Sequence, residues 1–315
     1  MRGAIDVVVY GDINIDVMVY TRRLPERGIP LTAESIRIMH GGVGGNIATA
    51  LSTLNIKVAL IGAVGEDVLG FEALRELNRI GVDTSRVRRL ANVSTGLMII
   101  FVEPSGERTI IGYRGANSKI IVDDEDLELI KNTRHLHVSG YTFLNEDYGE
   151  GALRLLKEAK VNDCTTSLDL EGIVYERPSL LKKVKGLVDY LLMNEKEATL
   201  ALGLREFNKQ IPLILTRTLD SKAAIVKLGG KGCLIAENNR VVEVPAFKVK
   251  VVDTTGAGDA FNAGLIYGIL KNLPLTKAAI IANAMGAYNC MGFGARHYPT
   301  IEELKEKFPT IKEII

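Results

Sequence analysis

Among its 315 residues the chain has no tryptophan and one glutamine, Gln210. Only three cysteines occur, Cys164, Cys233 and Cys290, far apart and without a CxxC pair. That spacing excludes a disulfide framework and a cysteine zinc site, and it matches a reduced compartment. No apolar run approaches the roughly 20 residues of a membrane-spanning helix. The opening stretch MRGAIDVVVYGD reaches Asp12 too soon for a secretory signal. Excess charge is also missing. Lys and Arg number 39 against 38 Asp and Glu, a net charge of +1, so nothing points to nucleic acid, a polyanion or a membrane surface. A soluble cytoplasmic protein is expected. The lack of Trp and near lack of Gln, beside 24% charged residues, lean towards a thermophile.

What the chain does have is apolar side chain, 47% of the total, enough for one large core. IDVVVYGD (5–12) is a β-branched run that ends near Gly11, and similar runs recur at 57–62, 135–140, 165–170, 188–194 and 223–229. Runs apolar on both faces suit buried parallel strands. Helical patterns lie between them at 46–55, 71–81, 151–160 and 194–203. The alternation predicts an α/β fold with a mostly parallel sheet covered on both faces. Later, GCLIAE and RVVEVP flank the turn Asn238-Asn239 as a hairpin, and helices are expected over about 256–271 and 275–289. Two segments break the pattern. Residues 15–39 and 95–113 each read as a hairpin, the second around the turn PSGE, with period-2 alternation. Such strands have one wet face. They predict a small sheet inserted near the strand ends of a single domain spanning 1–315, placed to act as a lid.

Four stretches carry chemistry. In HGGVGGNIATAL (40–51), glycines lead into a helix. The spacing is neither GxGxxG nor a P-loop, so two readings stand: a tight helix start, or bare backbone that admits a polar ligand beside Asn46. In GDINID (11–16), Asp12, Asn14 and Asp16 alternate onto one face beyond a strand end, suited to holding hydroxyl groups. For Asp12 a local turn role is the simpler reading. In MNEKEATL (193–200), Asn194 and Glu197 share a helix face, where Asn194 is also a natural cap and Glu197 suits the helix dipole; only together do they suggest a hydrated magnesium ion. In DTTGAGDAFNAG (253–264), the amides of Gly256, Ala257 and Gly258 would face an anion at a helix start. Asp259 follows in the first turn. The dipole is expected to keep it ionised, as a base able to take a proton from a hydroxyl. Ala260, Gly264 and Gly268 form a small-residue stripe for close helix packing.

DTTGAGDAFNAG, with GGVGGNIATALSTLNIKVALIGAVGEDVLG (41–70), NEKEA (194–198) and KLGGKGC (227–233), resembles the signatures of the PfkB, or ribokinase-like, carbohydrate kinases, in the family's order. The resemblance implies a three-layer α/β/α domain with a β-sheet lid, and ATP-dependent phosphorylation of an alcohol on a small sugar, sugar acid or nucleoside. It implies Asp259 as general base, with Gly256, Ala257 and Gly258 as the anion hole. Asn194 and Glu197 would organise Mg2+. Asn14, Asp16, Gly42 and Asn46 would hold the acceptor. Lys227, Gly229 and Gly232 would lie near the nucleotide, with Asn283 beside the adenine. Asp253 and Thr255 resemble the start of a monovalent-cation site, for K+, whose other loop is 290–299 near Gly294 and Ala295. Three positions bear on the acceptor. Val43 stands where ribokinase has a ribose-contacting lysine, and Glu171 where an amide is expected. Arg114 either suits a carboxylate or phosphate on the acceptor, as in 2-keto-3-deoxygluconate kinases, or is a solvated strand end. A homodimer through the lid is a further expectation. A non-catalytic sugar or nucleotide sensor would be expected to lose Asp259 or the GAG turn, and a dinucleotide oxidoreductase needs GxGxxG after the first strand. Neither fits.

Overall fold

The computed structural model describes residues 5–105 and 107–315. The first four residues, and Gly106 of the expected PSGE turn, lie outside the described residues. The strands in chain order are β1 Val7–Tyr10, β2 Asn14–Tyr20, β3 Ser35–Gly41, β4 Val58–Gly65, β5 Val87–Leu90, β6 Gly96–Val102 and β7 Arg108–Tyr113. They continue as β8 His135–Ser139, β9 Thr165–Asp169, β10 Tyr190–Asn194, β11 Ala223–Lys227, β12 Cys233–Glu237 and β13 Arg240–Val244. The helices are α1 Val43–Thr53, α2 Val68–Ile80, α3 Asp124–Lys131, α4 Glu150–Val161 and α5 Glu171–Glu176. After these come α6 Glu195–Ala201, α7 Ile211–Leu219, α8 Ala257–Leu270, α9 Leu275–Asn289 and α10 Ile301–Lys307.

Nine strands form one sheet in the order β13-β12-β11-β10-β9-β8-β1-β4-β5. β1 sits inside it, parallel to β8 and β4, which is why all four of its residues are buried. Only the late hairpin β12–β13 runs antiparallel to its neighbours. One face packs Tyr10, Leu136, Leu168 and Leu191 against Leu155 and Leu156 of α4 and Leu215 of α7. The other packs Val7, Val9 and Leu60 against Ile47 and Leu51 of α1, with Ile266 and Ile281 from α8 and α9. Two apolar layers around a parallel sheet are the expected three-layer arrangement.

A second sheet has the order β3-β2-β6-β7. Its two hairpins, β2–β3 and β6–β7, join through the parallel pair β2–β6. The expected water-exposed face is present, but its residues are apolar. One face carries the aligned row Ile38, Val17, Ile99 and Ile111 across all four strands. Ile38 is 69% exposed and Ile111 60%. The opposite positions, Asp16 and Met18, are buried. Apolar rather than polar side chains thus face outward in this row, and on β7 exposure does not alternate at all, Ile110 being as exposed as Ile111.

Local chemistry sets several boundaries. Gly42 caps α1, which begins at Val43 and takes Gly44 and Gly45 into its first turn. The glycine-rich stretch is thus mostly helix, not loop. Asn194 caps α6 through a reciprocal box with Glu197. α8 lies against α9 so closely that a Cβ on Gly264 would sit 2.8 Å from the Ala282 Cα. No helix among the described residues is long and apolar enough to cross a membrane, and the three cysteines are free.

Candidate active site

Adjacent parallel strands end on polar side chains. Ser139 closes β8, Asp169 β9, Asn194 β10 and Lys227 β11, and Asp12 lies just past β1. Register sets Ser139 opposite Asp169 and Asn194 opposite Lys227, while Asp169 pairs with Leu192, two residues before Asn194. Ligands of open α/β sheets bind beyond such carboxyl ends. Buried Asp169 organises the row. Its Oδ2 accepts from Lys227 Nζ at 2.6 Å and from Asn262 Nδ2 at 2.5 Å, while Oδ1 is buried without a partner. Burial opposes the charge of Lys227, but Asp169 and Glu197 more than offset it and push its pKa up. Glu171 accepts from the Ser139 hydroxyl at 2.6 Å, and burial, then Asp169 and Asp259, push its carboxyl well up.

The helix cap expected of Asn194 forms as expected. Its Oδ1 accepts from the Glu197 N–H at 2.8 Å, and its Nδ2 donates to Glu197 Oε1 at 2.7 Å. Burial and then Asp169 raise the Glu197 carboxyl to about 6, opposed by Lys227 and Asn194.

Gly256 caps α8 with φ 75°, a left-handed backbone, and any Cβ there would lie 2.4 Å from the Ala295 carbonyl. The Ala257 N–H closes the preceding turn on the Thr254 carbonyl at 3.3 Å. No turn or cap bond among the described residues engages the N–H groups of Gly256 and Gly258. Two of the three expected amides are therefore available at the positive end of the helix.

Asp259 stands in that first turn and keeps part of its surface open. Protein nevertheless surrounds the carboxyl closely. Burial raises it to about 7, against the pull of the Asn46 hydrogen bond and of Lys227. The expectation of an ordinarily ionised aspartate is corrected here: loss of water outweighs the helix field. Asn46 Nδ2 donates to Asp259 Oδ2 at 2.8 Å. The orientation of Asn46 is fixed by Arg296, whose Nε donates to Asn46 Oδ1 at 2.9 Å and whose Nη2 donates to the Gly41 carbonyl at 2.9 Å.

Asn14, Asp16 and Gly42 gather beside Asn46. Asn14 Oδ1 accepts from Asn117 Nδ2 at 2.8 Å. Asp16 is 8% exposed, its Oδ1 has no partner, and burial pushes its carboxyl up to about 6 against Arg296. Asp12 does not serve a local turn. It takes a two-pronged contact from Arg114, at 3.0 Å from Nε and 2.8 Å from Nη2. Nη2 of Arg114 also reaches Asn145 Oδ1 at 2.9 Å. Arg114 is thus no solvated strand end, and its Nη1 is buried without a partner, as is Nη1 of Arg296.

Across the Gly256–Gly258 turn lies a cleft of about 570 Å³ lined by Lys227, Gly229, Gly232, Gly258 and Asn283, among others. Asn283 Nδ2 is engaged there with the Val244 and Pro245 carbonyls, at 3.2 Å each. Asp253 and Thr255 sit beside the same turn, but their oxygens face donors. Asp253 Oδ1 accepts from the Thr255 N–H at 2.9 Å and hydroxyl at 2.7 Å, and Oδ2 from the Gly294 N–H at 3.0 Å. Arg108 of β7 points into the same group. Arg108 and Arg296 belong to no motif in the sequence. For Arg296 the only signal is a lone arginine in the glycine-rich loop 290–299. Asn262 lies inside DTTGAGDAFNAG, three residues past Asp259, and that helical spacing could have marked it.

Comparison with known proteins bears on the family and the fold. The profile of the pfkB family carbohydrate kinase matches residues 4–301. An ATP-dependent ribose-1-phosphate kinase of Halopiger xanaduensis is 32% identical over 306 residues, covering 96% of this chain and 99% of that protein. A deoxyribokinase of Salmonella typhi is 28% identical over 310 residues, with 96% and 98% covered. Arabidopsis thaliana ribokinase, solved with ribose and ATP, superposes with a TM-score of 0.85 at 26% identity, covering 96% of this chain and 98% of that one.

Proposed function

Given that the chain belongs to the pfkB family of carbohydrate kinases, phosphotransferases with an alcohol group as acceptor, we propose that it transfers the γ-phosphoryl of ATP to a hydroxyl of a small sugar-like acceptor, with Asp259 as general base. One observation carries this reading. A single helix start presents two unengaged amides and, one residue on, a carboxylate whose other flank is fixed by Asn46. Phosphoryl transfer needs positioning and charge stabilisation rather than covalent chemistry from the protein. The acceptor hydroxyl gives its proton to Asp259, and its oxygen attacks in line. The Gly256 and Gly258 amides face the oxygens of the transferring group.

The donor side is the 570 Å³ cleft, with Gly229, Gly232 and Asn283 in its walls. The unpartnered Asp169 Oδ1, with Glu197 and Asn194 beside it, is a hard-oxygen set that suits a hydrated magnesium ion. When bound, that ion supplies charge neutralisation at the nucleotide phosphates. Lys227 holds Asp169 in place and lies close to Gly258.

Asn14, Asp16, Gly42 and Asn46 form the acceptor side, with the second sheet read as its lid. A second reading narrows the acceptor to one with an anionic group, a sugar acid or a sugar phosphate. The buried, unpartnered Nη1 atoms of Arg114 and Arg296 favour it, because a buried donor without a partner costs stability that a ligand can recover. The apolar outer face of the second sheet fits a second copy of this chain.

Two measurements test the proposal. Asp259→Asn is expected to lower kcat by about 10²–10⁴-fold with the fold retained. Undiminished transfer overturns the assignment of the base. A screen pairs ATP, GTP and ADP with ribose, deoxyribose, ribose 1-phosphate, fructose, nucleosides, inositol and ketodeoxygluconate. Preference for a neutral acceptor over both anionic ones overturns the second reading.

A further inference from the structure

We propose that Arg108 is a built-in cation: its guanidinium, carried on the second sheet, supplies at Asp253 the positive charge that a diffusible monovalent ion would otherwise bring to the turn before the anion-binding helix start. The inference rests on the kinase reading above for its effect on rate, but not for its geometry.

Arg108 reaches over from β7 to residues about 145 positions further along the chain. Its Nη1 lies 3.4 Å from Asp253 Oδ1 and donates to the Thr255 hydroxyl. Its Nη2 donates to the Thr254 hydroxyl at 2.9 Å. One planar fork thus meets three consecutive residues directly before Gly256. A monovalent ion would need a cage of oxygen lone pairs at this place. Those of Asp253 already face the Thr255 N–H, the Thr255 hydroxyl and the Gly294 N–H, and the Thr255 hydroxyl is itself met by the guanidinium. The set does not fit an added ion while Arg108 is docked. It does fit a guanidinium, whose directional donors suit a carboxylate flanked by hydroxyls.

The charge has a purpose at this position. Asp253 stands three residues before Gly256, and an uncompensated carboxylate there would repel an incoming phosphoryl group. The side chain of Arg108 is 30% exposed and that of Asp253 11%. An isolated pair of that exposure is ordinarily worth little. Convergence on three acceptors, with a second anchor nearby, distinguishes this one. Arg37 of β3 stacks on Phe293, in the loop that carries Gly294, at 4.9 Å from the ring centre. The positive charge therefore arrives only when the second sheet lies over this loop, so cation supply and sheet position are one event.

The test uses the full chain in choline chloride and in potassium chloride at equal ionic strength. The first readout is thermal unfolding, which needs no turnover. The wild type is expected to unfold at the same temperature in both salts, and Arg108→Ala at a higher temperature in potassium, because an ion that binds only the folded chain stabilises it. The second readout is initial rate with the best acceptor from the screen. The wild type is expected to be indifferent to potassium. Arg108→Ala is expected to fall about tenfold in choline, the scale of one lost charge-assisted hydrogen bond, and to recover with potassium or ammonium. Arg108→Lys should keep most of the rate without added ion. A wild type whose rate or unfolding temperature rises clearly with potassium overturns the proposal. So does an alanine variant that matches the wild type in both salts. A chain that transfers no phosphoryl group under any condition counts against the kinase reading instead, while the unfolding temperatures still decide the role of Arg108.

Discussion

On the kinase reading proposed above, Asp259 holds two states in turn: neutral at rest, charged when it removes a proton. With its carboxyl raised to about 7, the free protein should show a kcat/KM that climbs with pH and levels off above an apparent pKa near 7. Linkage fixes the sign for stability. Between the ordinary carboxylate range and about pH 7, the folded chain binds a proton at Asp259 that the unfolded chain has lost. Stability from this group is thus fully present at low pH and is lost as pH rises through 7. Asp259→Asn removes that cost along with the base. It is expected to unfold at a higher temperature than the wild type at pH 8, with the gap closing towards pH 4, as scanning calorimetry on both proteins would show. The candidate base is legible in DTTGAGDAFNAG, but the environment that shifts its carboxyl is not. What surrounds Asp259 comes from Asn46 and, through it, Arg296, which are 213 and 250 residues apart in the two contacts concerned. No local pattern encodes such encounters.

At the scale of elements, the strands that feed the site are the easiest part of the sequence to read. β10 and β11 are short apolar runs whose last residue turns polar, and β1 is apolar throughout; β8 (HLHVS) and β9 (TTSLD) already carry polar residues inside the strand. Helices with strong periodicity, α2 and α4, are equally plain. The helical patterns in the sequence do not include α3, α5, α7 or α10. α7, IPLILTRTL with Pro212 in its first turn, is rich in β-branched residues that weaken a helical signal. Tertiary packing of Leu215 and Leu219 holds it in place. The contact between α8 and α9 gives a prediction at this scale. Gly264 has no room for a side chain beside Ala282. Alanine there would recover up to about 1 kcal/mol of helix propensity, so valine is the clearer variant. Gly264→Val is expected to lower unfolding free energy by about 1–3 kcal/mol, read from the urea midpoint, and to weaken nucleotide affinity, because Asn283 rides on α9.

For the whole molecule, the second sheet is the face proposed above to meet a second copy of this chain. Its outward row, Ile38, Val17, Ile99 and Ile111, runs across all four strands and is wider than scattered surface residues explain. Light scattering is expected to give the mass of two chains, and the double variant Ile38→Glu, Ile111→Glu the mass of one. A wild-type monomer at working concentration would remove the dimer. The sequence shows the two hairpins and their turns. It does not show that they join through a parallel β2–β6 pair, because alternation specifies a strand's faces and not its neighbour.

The contact between Arg296 and Gly41 spans 255 residues, and it has a consequence for how the protein is made. Asn46 leaves the ribosome early, Asp259 late and Arg296 later still. On the kinase reading proposed above, a growing chain carries Asn46 long before Arg296 can fix it against Asp259, and arrested nascent chains that stop short of residue 296 are expected to be chemically silent. The onset of phosphoryl transfer then reports that residue 296 has joined the fold.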